Sequence, residues 1–174
     1  MAKIESNDSH LRDILKDELY YQIPTYQRPY QWTEENCEKL LDDLFFNYED
    51  DRESDYFCGS LVLTTIDTDS ETNAETYDVV DGQQRLSTFI LLAKVLATLF
   101  LERLTDESKE YLQESLNSRH GKKDRLNFNA IGFNSKKDFQ YALTSFNDAP
   151  ISNNKNNYLK NAICLKNYLK KKRD

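Results

Sequence analysis

Histidine, cysteine and glycine are all scarce in this 174-residue chain, with two, three and four copies, and each scarcity closes off a class of chemistry. His10 stands near the N-terminus and His120 beside Gly121 in a polar stretch, so neither joins a His/Cys/Asp cluster of metal-ligand spacing. A nuclease of the HNH type, which gathers several His and Asn around one metal, is not expected from these residues. Cys37, Cys58 and Cys164 are odd in number and scattered. They suggest neither a disulfide framework nor a metal knuckle, and point to a reducing, cytoplasmic compartment. No Gly-rich loop leading to a Lys is present, which excludes a P-loop enzyme. The polar N-terminus lacks the apolar region of a signal peptide. The apolar run from Leu86 to Leu101 is interrupted by Lys94 and falls short of the ~20 residues of a membrane span. A soluble protein with no membrane partner is expected.

What is present suits one domain with a real core: 39% of residues are hydrophobic and 12% aromatic. The net charge of −7 argues against a surface that grips DNA all over. The charge is uneven, because Lys155 to Asp174 holds seven basic residues and one acid, leaving +6 there and −13 elsewhere. A solvated helix end explains that tail most simply.

The most informative stretch is Asp81-Gly82-Gln83-Gln84-Arg85. Thr76 to Val80 before it reads as a short strand, and from Leu86 the apolar residues Phe89, Ile90, Ala93, Leu96, Ala97 and Phe100 recur at helical spacing. Five polar residues thus open a helix that runs to Leu104 and has few polar positions, so it should be largely buried. At a helix N-terminus the first N–H groups lack intrahelical partners, the macrodipole favours an anion, and Gly82 permits close approach to the backbone. A phosphate fits that description; so does an ordinary cap with Asp81 as N-cap.

Upstream, Pro24 and Pro29 break regular structure and are expected to hold the segment between them extended. In Tyr26-Gln27-Arg28-Pro29-Tyr30-Gln31-Trp32 the aromatics are expected to pack while Gln27 and Arg28 face a ligand. Other expected elements are a helix over Leu11–Leu19, a strand over Tyr20–Ile23, and a helix after Thr33 with Asn36 in place of a capping-box Glu. A strand over Tyr56–Thr65 contains Gly59-Ser60, followed by a solvated loop over Asp67–Glu75. Helices over Asp106–Leu116, Ser135–Leu143 and Asn157–Leu169 and a short strand over Leu126–Asn129 complete an α+β fold, a small mixed sheet backed by helices.

Three segments in order, Ile23-Pro24-Thr25-Tyr26-Gln27-Arg28-Pro29-Tyr30-Gln31-Trp32, then Tyr56-Phe57-Cys58-Gly59-Ser60-Leu61-Val62-Leu63, then the Asp81–Arg85 turn, resemble the N-terminal domain of GmrSD-type restriction endonucleases. That family belongs to the ParB and sulfiredoxin-like fold group, and the motifs span roughly residues 10 to 104. The resemblance implies a single domain over 1–174, with a helical C-terminal part and the family's nuclease half not in this stretch. It further implies a nucleoside triphosphate ligand of unspecified base, bound by Gln27, Arg28, Gly59, Ser60, Gly82, Gln83, Gln84 and Arg85. Asp81, Gln84 and Arg85 are the expected catalytic residues. Arg85 would hold phosphate and the glutamines would orient phosphate or water. Asp81 would act as general base or hold a magnesium ion through water, two roles the residues leave open. The implied activity is nucleotide hydrolysis in a modification-dependent, anti-phage restriction system, with DNA reached through the nuclease partner. The alternative is a ParB-like nucleotide-switched binding module without significant turnover. Cys58 before Gly59, and Ser87 where Thr is more usual, are modest departures from the family pattern.

Overall fold

The computed structural model describes residues 4–119, 123–129, 133–150 and 155–173. The elements are α1 (Leu11–Ile14), β1 (Leu19–Ile23), α2 (Glu34–Asp50), β2 (Val62–Thr68), β3 (Glu75–Asp81), α3 (Gln83–Leu99), α4 (Asp106–Leu116), β4 (Leu126–Phe128), α5 (Phe133–Ser145) and α6 (Asn157–Arg173). They make the expected α+β fold. The four strands form one sheet in the order β2-β3-β1-β4, with β1 parallel to both β3 and β4 and β2 antiparallel to β3.

Register gives the sheet two unlike faces. Tyr21 lies opposite Tyr77 and Leu126, and Leu63 opposite Val79, while Gln22 lies opposite Asp78 and Asn127. Successive side chains on a strand point to opposite faces. Tyr21, Ile23, Val79 and Leu126 therefore join the core with Leu86, Ile90 and Val95 of α3 and Leu159, Ile163 and Leu165 of α6. The other face carries Gln22, whose Nε2 donates to Asp78 Oδ1 at 2.9 Å, and Tyr20, whose hydroxyl donates to Glu18 at 2.6 Å.

Arg125 is fully buried yet has no carboxylate partner among the described residues. Its guanidinium donates to the carbonyls of Glu114 at 2.8 and 2.6 Å, Lys16 at 3.2 Å, Asp17 at 3.0 Å and Leu19. The carbonyls near the C-terminus of α4 are the negative end of a helix and suit a cation. The turn between α1 and β1 supplies the others, because Asp17 sits at φ 51 and turns the chain there.

Several boundaries differ from expectation, each for a local reason. The first helix stops at Ile14 rather than Leu19, and Leu19 enters β1. Residues 56–61 form no strand, because Gly59 at φ 104 breaks the extended path; the strand begins at Val62 and runs on to Thr68. The central helix starts at Gln83 and ends at Leu99, its last carbonyls closed by Phe100 and a following turn at Arg103. The α2 start is as read: Asn36 Oδ1 accepts from the Thr33 N–H at 2.9 Å. His10 is exposed and 3.9 Å from Asp55, whereas His120 and Gly121 lie outside the described residues. The basic end of α6 leans on acidic α2: Tyr168 donates to Asp42 at 2.5 Å and Lys172 lies over the Phe45 ring at 5.3 Å.

Candidate functional site

The turn after β3 and the proline-bounded segment after β1 meet in space. Residues 24–32 form a strap laid across the first turn of α3, and the two glutamines of the turn hold it there. Gln83, only 8% exposed, donates from Nε2 to the Arg28 carbonyl at 2.8 Å and to Gln27 Oε1 at 3.1 Å. Gln84 Oε1 accepts from the backbone N–H groups of Gln31 at 2.8 Å and Trp32 at 3.1 Å. Gln27 Nε2 donates in turn to the carbonyls of Val79 at 3.1 Å and Val80 at 2.6 Å, at the end of β3. These amides bond backbone groups of the strap and of the end of β3.

The aromatics of the strap divide. Tyr30 is buried and stacks on Tyr158 of α6 with ring centroids 4.2 Å apart, and Trp32 packs against the core. Tyr26 is 66% exposed, so the expectation that it packs is corrected; it is held by no ring contact among the described residues. Tyr30 OH shares a hydrogen bond with Thr88 Oγ1 at 2.8 Å, and burial raises its pKa.

The remaining turn residues face the other flank. Gly82, at φ 94, is the N-cap of α3, and a Cβ there would lie 2.9 Å from the Ser60 carbonyl oxygen. Asp81 is the exposed last residue of β3, so its reading as N-cap is corrected. Arg85 Nη2 donates to the Ser60 carbonyl at 2.5 Å, and its guanidinium lies over Gly59. The Gly59-Ser60 pair thus belongs to a loop closing over α3, not to a strand. Cys58 beside it has a thiol pKa raised by burial, with the Arg85 charge opposing that rise.

A cleft of about 410 Å³ opens beside the strap, where β1 and β4 end. Gln27, Arg28 and Gln83 line it together with Thr25, Asn134 and Tyr158. Clefts outside the carboxyl ends of parallel strands are where open α/β sheets bind ligands. Of the expected nucleotide contacts, the structure brings Gln27, Arg28 and Gln83 to this cleft and Gly59, Ser60 and Arg85 to the opposite flank, with Gly82 and Gln84 between. Arg28 is exposed at the mouth with no ion pair among the described residues. A larger groove of about 770 Å³ lies between β4 and α5, lined by Leu126, Phe139 and Leu143 among others. None of the turn or strap residues borders it, so volume does not select the site. No group of three or more His, Cys, Asp or Glu is placed to hold a metal among the described residues, and none of their helices is long and apolar enough to cross a membrane.

The helix expected over Asn157–Leu169 is present as α6, but its part in the site was not read from the sequence. Asn161, 1% exposed, donates from Nδ2 to Tyr30 OH and to the Trp32 carbonyl, both at 2.8 Å, and Asn157 Nδ2 donates to the Tyr30 carbonyl at 3.2 Å. The available signal was two amides four residues apart on a helix face otherwise filled by Tyr158, Leu159, Ala162 and Leu165.

Taken together, the mixed sheet, the buried helix entered through a polar turn and the clamped strap define a small α+β domain. Residues 11–173 match the GmrSD restriction endonuclease N-terminal domain, and the chain belongs to that family. It is a component of a restriction endonuclease system, and its membership implies a nuclease partner domain. No curated protein matches the chain.

Proposed function

We propose that this chain is a nucleoside-triphosphate-binding and -hydrolysing regulatory domain of a modification-dependent restriction system that acts against phage. The observation that carries the reading is the cleft at the ends of β1 and β4, with Arg28 at its mouth and Gln27 and Gln83 on its wall. A guanidinium without a carboxylate partner among the described residues, held on a proline-fixed backbone, suits phosphate oxygens. Arg85 spends one donor on Ser60 and offers its others to phosphate, with Gly59, Ser60 and Gly82 keeping the surface beside it low. Asp81 is the general base, or holds magnesium through water. The nuclease partner, not this domain, meets the DNA, and the cytoplasm is the site of action.

One observation favours a second reading. Gln83 Nε2 and Gln84 Oε1 are committed to the strap, which makes the two side chains clamps first and ligands to an attacking water second. A switch that binds nucleotide with little turnover follows from that. The test is calorimetric titration with ATP, GTP, CTP and UTP plus magnesium, alongside phosphate release. Binding with release supports the enzyme, and binding without release supports the switch. Absence of binding to all four removes both. Arg28→Ala is expected to weaken binding about tenfold, as loss of a charge-assisted hydrogen bond does.

A further inference from the structure

The strap is gripped from two sides, and only the α3 side belongs to a recognised motif. On the other side stand Asn157 and Asn161 of α6, more than 120 residues further along the chain. Asn161 is as buried as the leucines around it. A buried amide costs free energy unless its groups are bonded, and here Nδ2 bonds both the side chain of Tyr30 and the backbone of Trp32. A leucine at 161 would serve packing alone at less cost, so the amide is there for what it holds.

What it holds is the far end of the segment that carries Arg28. Tyr30 is fixed by Asn161, Asn157, Thr88 and the Tyr158 ring, and Trp32 by Asn161 and Gln84. Arg28 is two residues from Tyr30 with Pro29 between them, so the torsional freedom separating the gripped residue from the guanidinium's backbone is small. We infer that Asn161, supported by Asn157, is a positioning residue: α6 sets where Arg28 stands in the cleft. The inference rests on the reading of that cleft as the nucleotide site.

Trp32 is the chain's single tryptophan, so its fluorescence reports the strap without any ligand. The experiment compares the parent with Asn161→Leu, Arg28→Ala and the double variant. It measures acrylamide quenching of Trp32, cooperative urea unfolding, and affinity for whichever of ATP, GTP, CTP or UTP binds the parent. Asn161→Leu is expected to make Trp32 more quenchable while unfolding stays cooperative, and to weaken nucleotide binding about tenfold. In the double variant, affinity should fall within about twofold of Arg28→Ala alone, because both changes remove one interaction. Unchanged quenching, or losses that multiply in the double variant, overturns the inference. Should Asn161→Leu fail to fold, Asn157→Ala, which removes only the bond to the Tyr30 carbonyl, carries the same comparison. Should no nucleotide bind the parent, the functional reading of the cleft falls, and the Trp32 measurement still shows whether α6 sets the strap.

Discussion

The backbone of Gly59 lies so close beneath the guanidinium of Arg85 that a Cβ at residue 59 would sit 2.7 Å from Arg85 Cζ. The contact is steric on one side and electrostatic on the other, since Arg85 also donates to the carbonyl of Ser60. Gly59 is at φ 104, where side chains are strained whatever the space. Gly59→Ala is therefore expected to cost about 1–3 kcal/mol and to push Arg85 off Ser60. Urea unfolding measures the first effect. A crystal structure of the variant with Arg85 unmoved would contradict the second.

Gln84 separates two kinds of replacement. Its Oε1 accepts two backbone N–H groups from the strap, and Glu offers the same acceptor. Gln84→Glu should stay within about 0.5 kcal/mol of the parent, whereas Gln84→Met, which leaves both donors unmet, should lose about 1–3 kcal/mol. Equal unfolding midpoints for the two variants would show that the amide clamp contributes nothing.

The turn and the strap were legible in the sequence as motifs, because prolines, amides and arginines in short order are unusual between apolar elements. Their embrace was not legible. Gln83 and Arg28 are 55 residues apart, and nothing in local spacing tells that one bonds the other's carbonyl. A strand was expected over Tyr56–Thr65, yet Gly59 at φ 104 delays its start to Val62. The sheet and most helices followed from apolar periodicity, while α1 was overdrawn because Leu15 and Leu19 face the core from a turn and a strand. Arg125 was not readable at all: an arginine before a short apolar run reads as surface, and its burial depends on carbonyls gathered from two distant segments.

Arg125 should tolerate no replacement, even by lysine. Lys supplies one point charge where the guanidinium's fork meets carbonyls from Lys16 to Leu19 and from Glu114 together. Arg125→Lys and Arg125→Met are both expected to lose about 3 kcal/mol or more, from carbonyls left buried and unbonded. A thermal melt within a degree of the parent for either would show that the network is dispensable.

Asp81→Asn tests chemistry without disturbing the fold. Gly82 caps α3 and Asp81 is exposed, so the helix should begin where it did. Nucleotide affinity should stay within a few fold while turnover falls by roughly 10²–10⁴, the range for a lost general base. Affinity that collapses only when magnesium is present would identify Asp81 as a metal-linked group. Parent-level turnover would remove it from the mechanism.

Alkaline pH should weaken the domain. Burial pushes the Cys37 thiol up to about 12, with Cys164 adding to the rise, and pushes Cys164 up to about 11; Tyr21, Tyr30 and Tyr158 are raised as well. The unfolded chain releases these protons first, from the thiols' usual 9.0 upward, while the folded chain keeps them. Above that pH the unfolded state binds fewer protons, so stability falls as pH rises, by up to about 1.4 kcal/mol per pH unit for each linked group. Urea midpoints should be level from pH 7 to 8.5 and drop by pH 10. A flat profile to pH 10 would mean that these groups are not linked to unfolding.

The tyrosine and asparagine that meet at the strap, Tyr30 and Asn161, are 131 residues apart, and β1 also needs β4 from late in the chain to complete its pairing. During synthesis at ~5–20 residues per second, the strap leaves the ribosome many seconds before the helix that fixes it. The nascent protein carries its prolines, Arg28 and Trp32 through that interval with half of their grip missing. The strap is fully gripped only after α6 has emerged and docked, and a chain cut short before Asn157 lacks the amides that bond Tyr30 and Trp32.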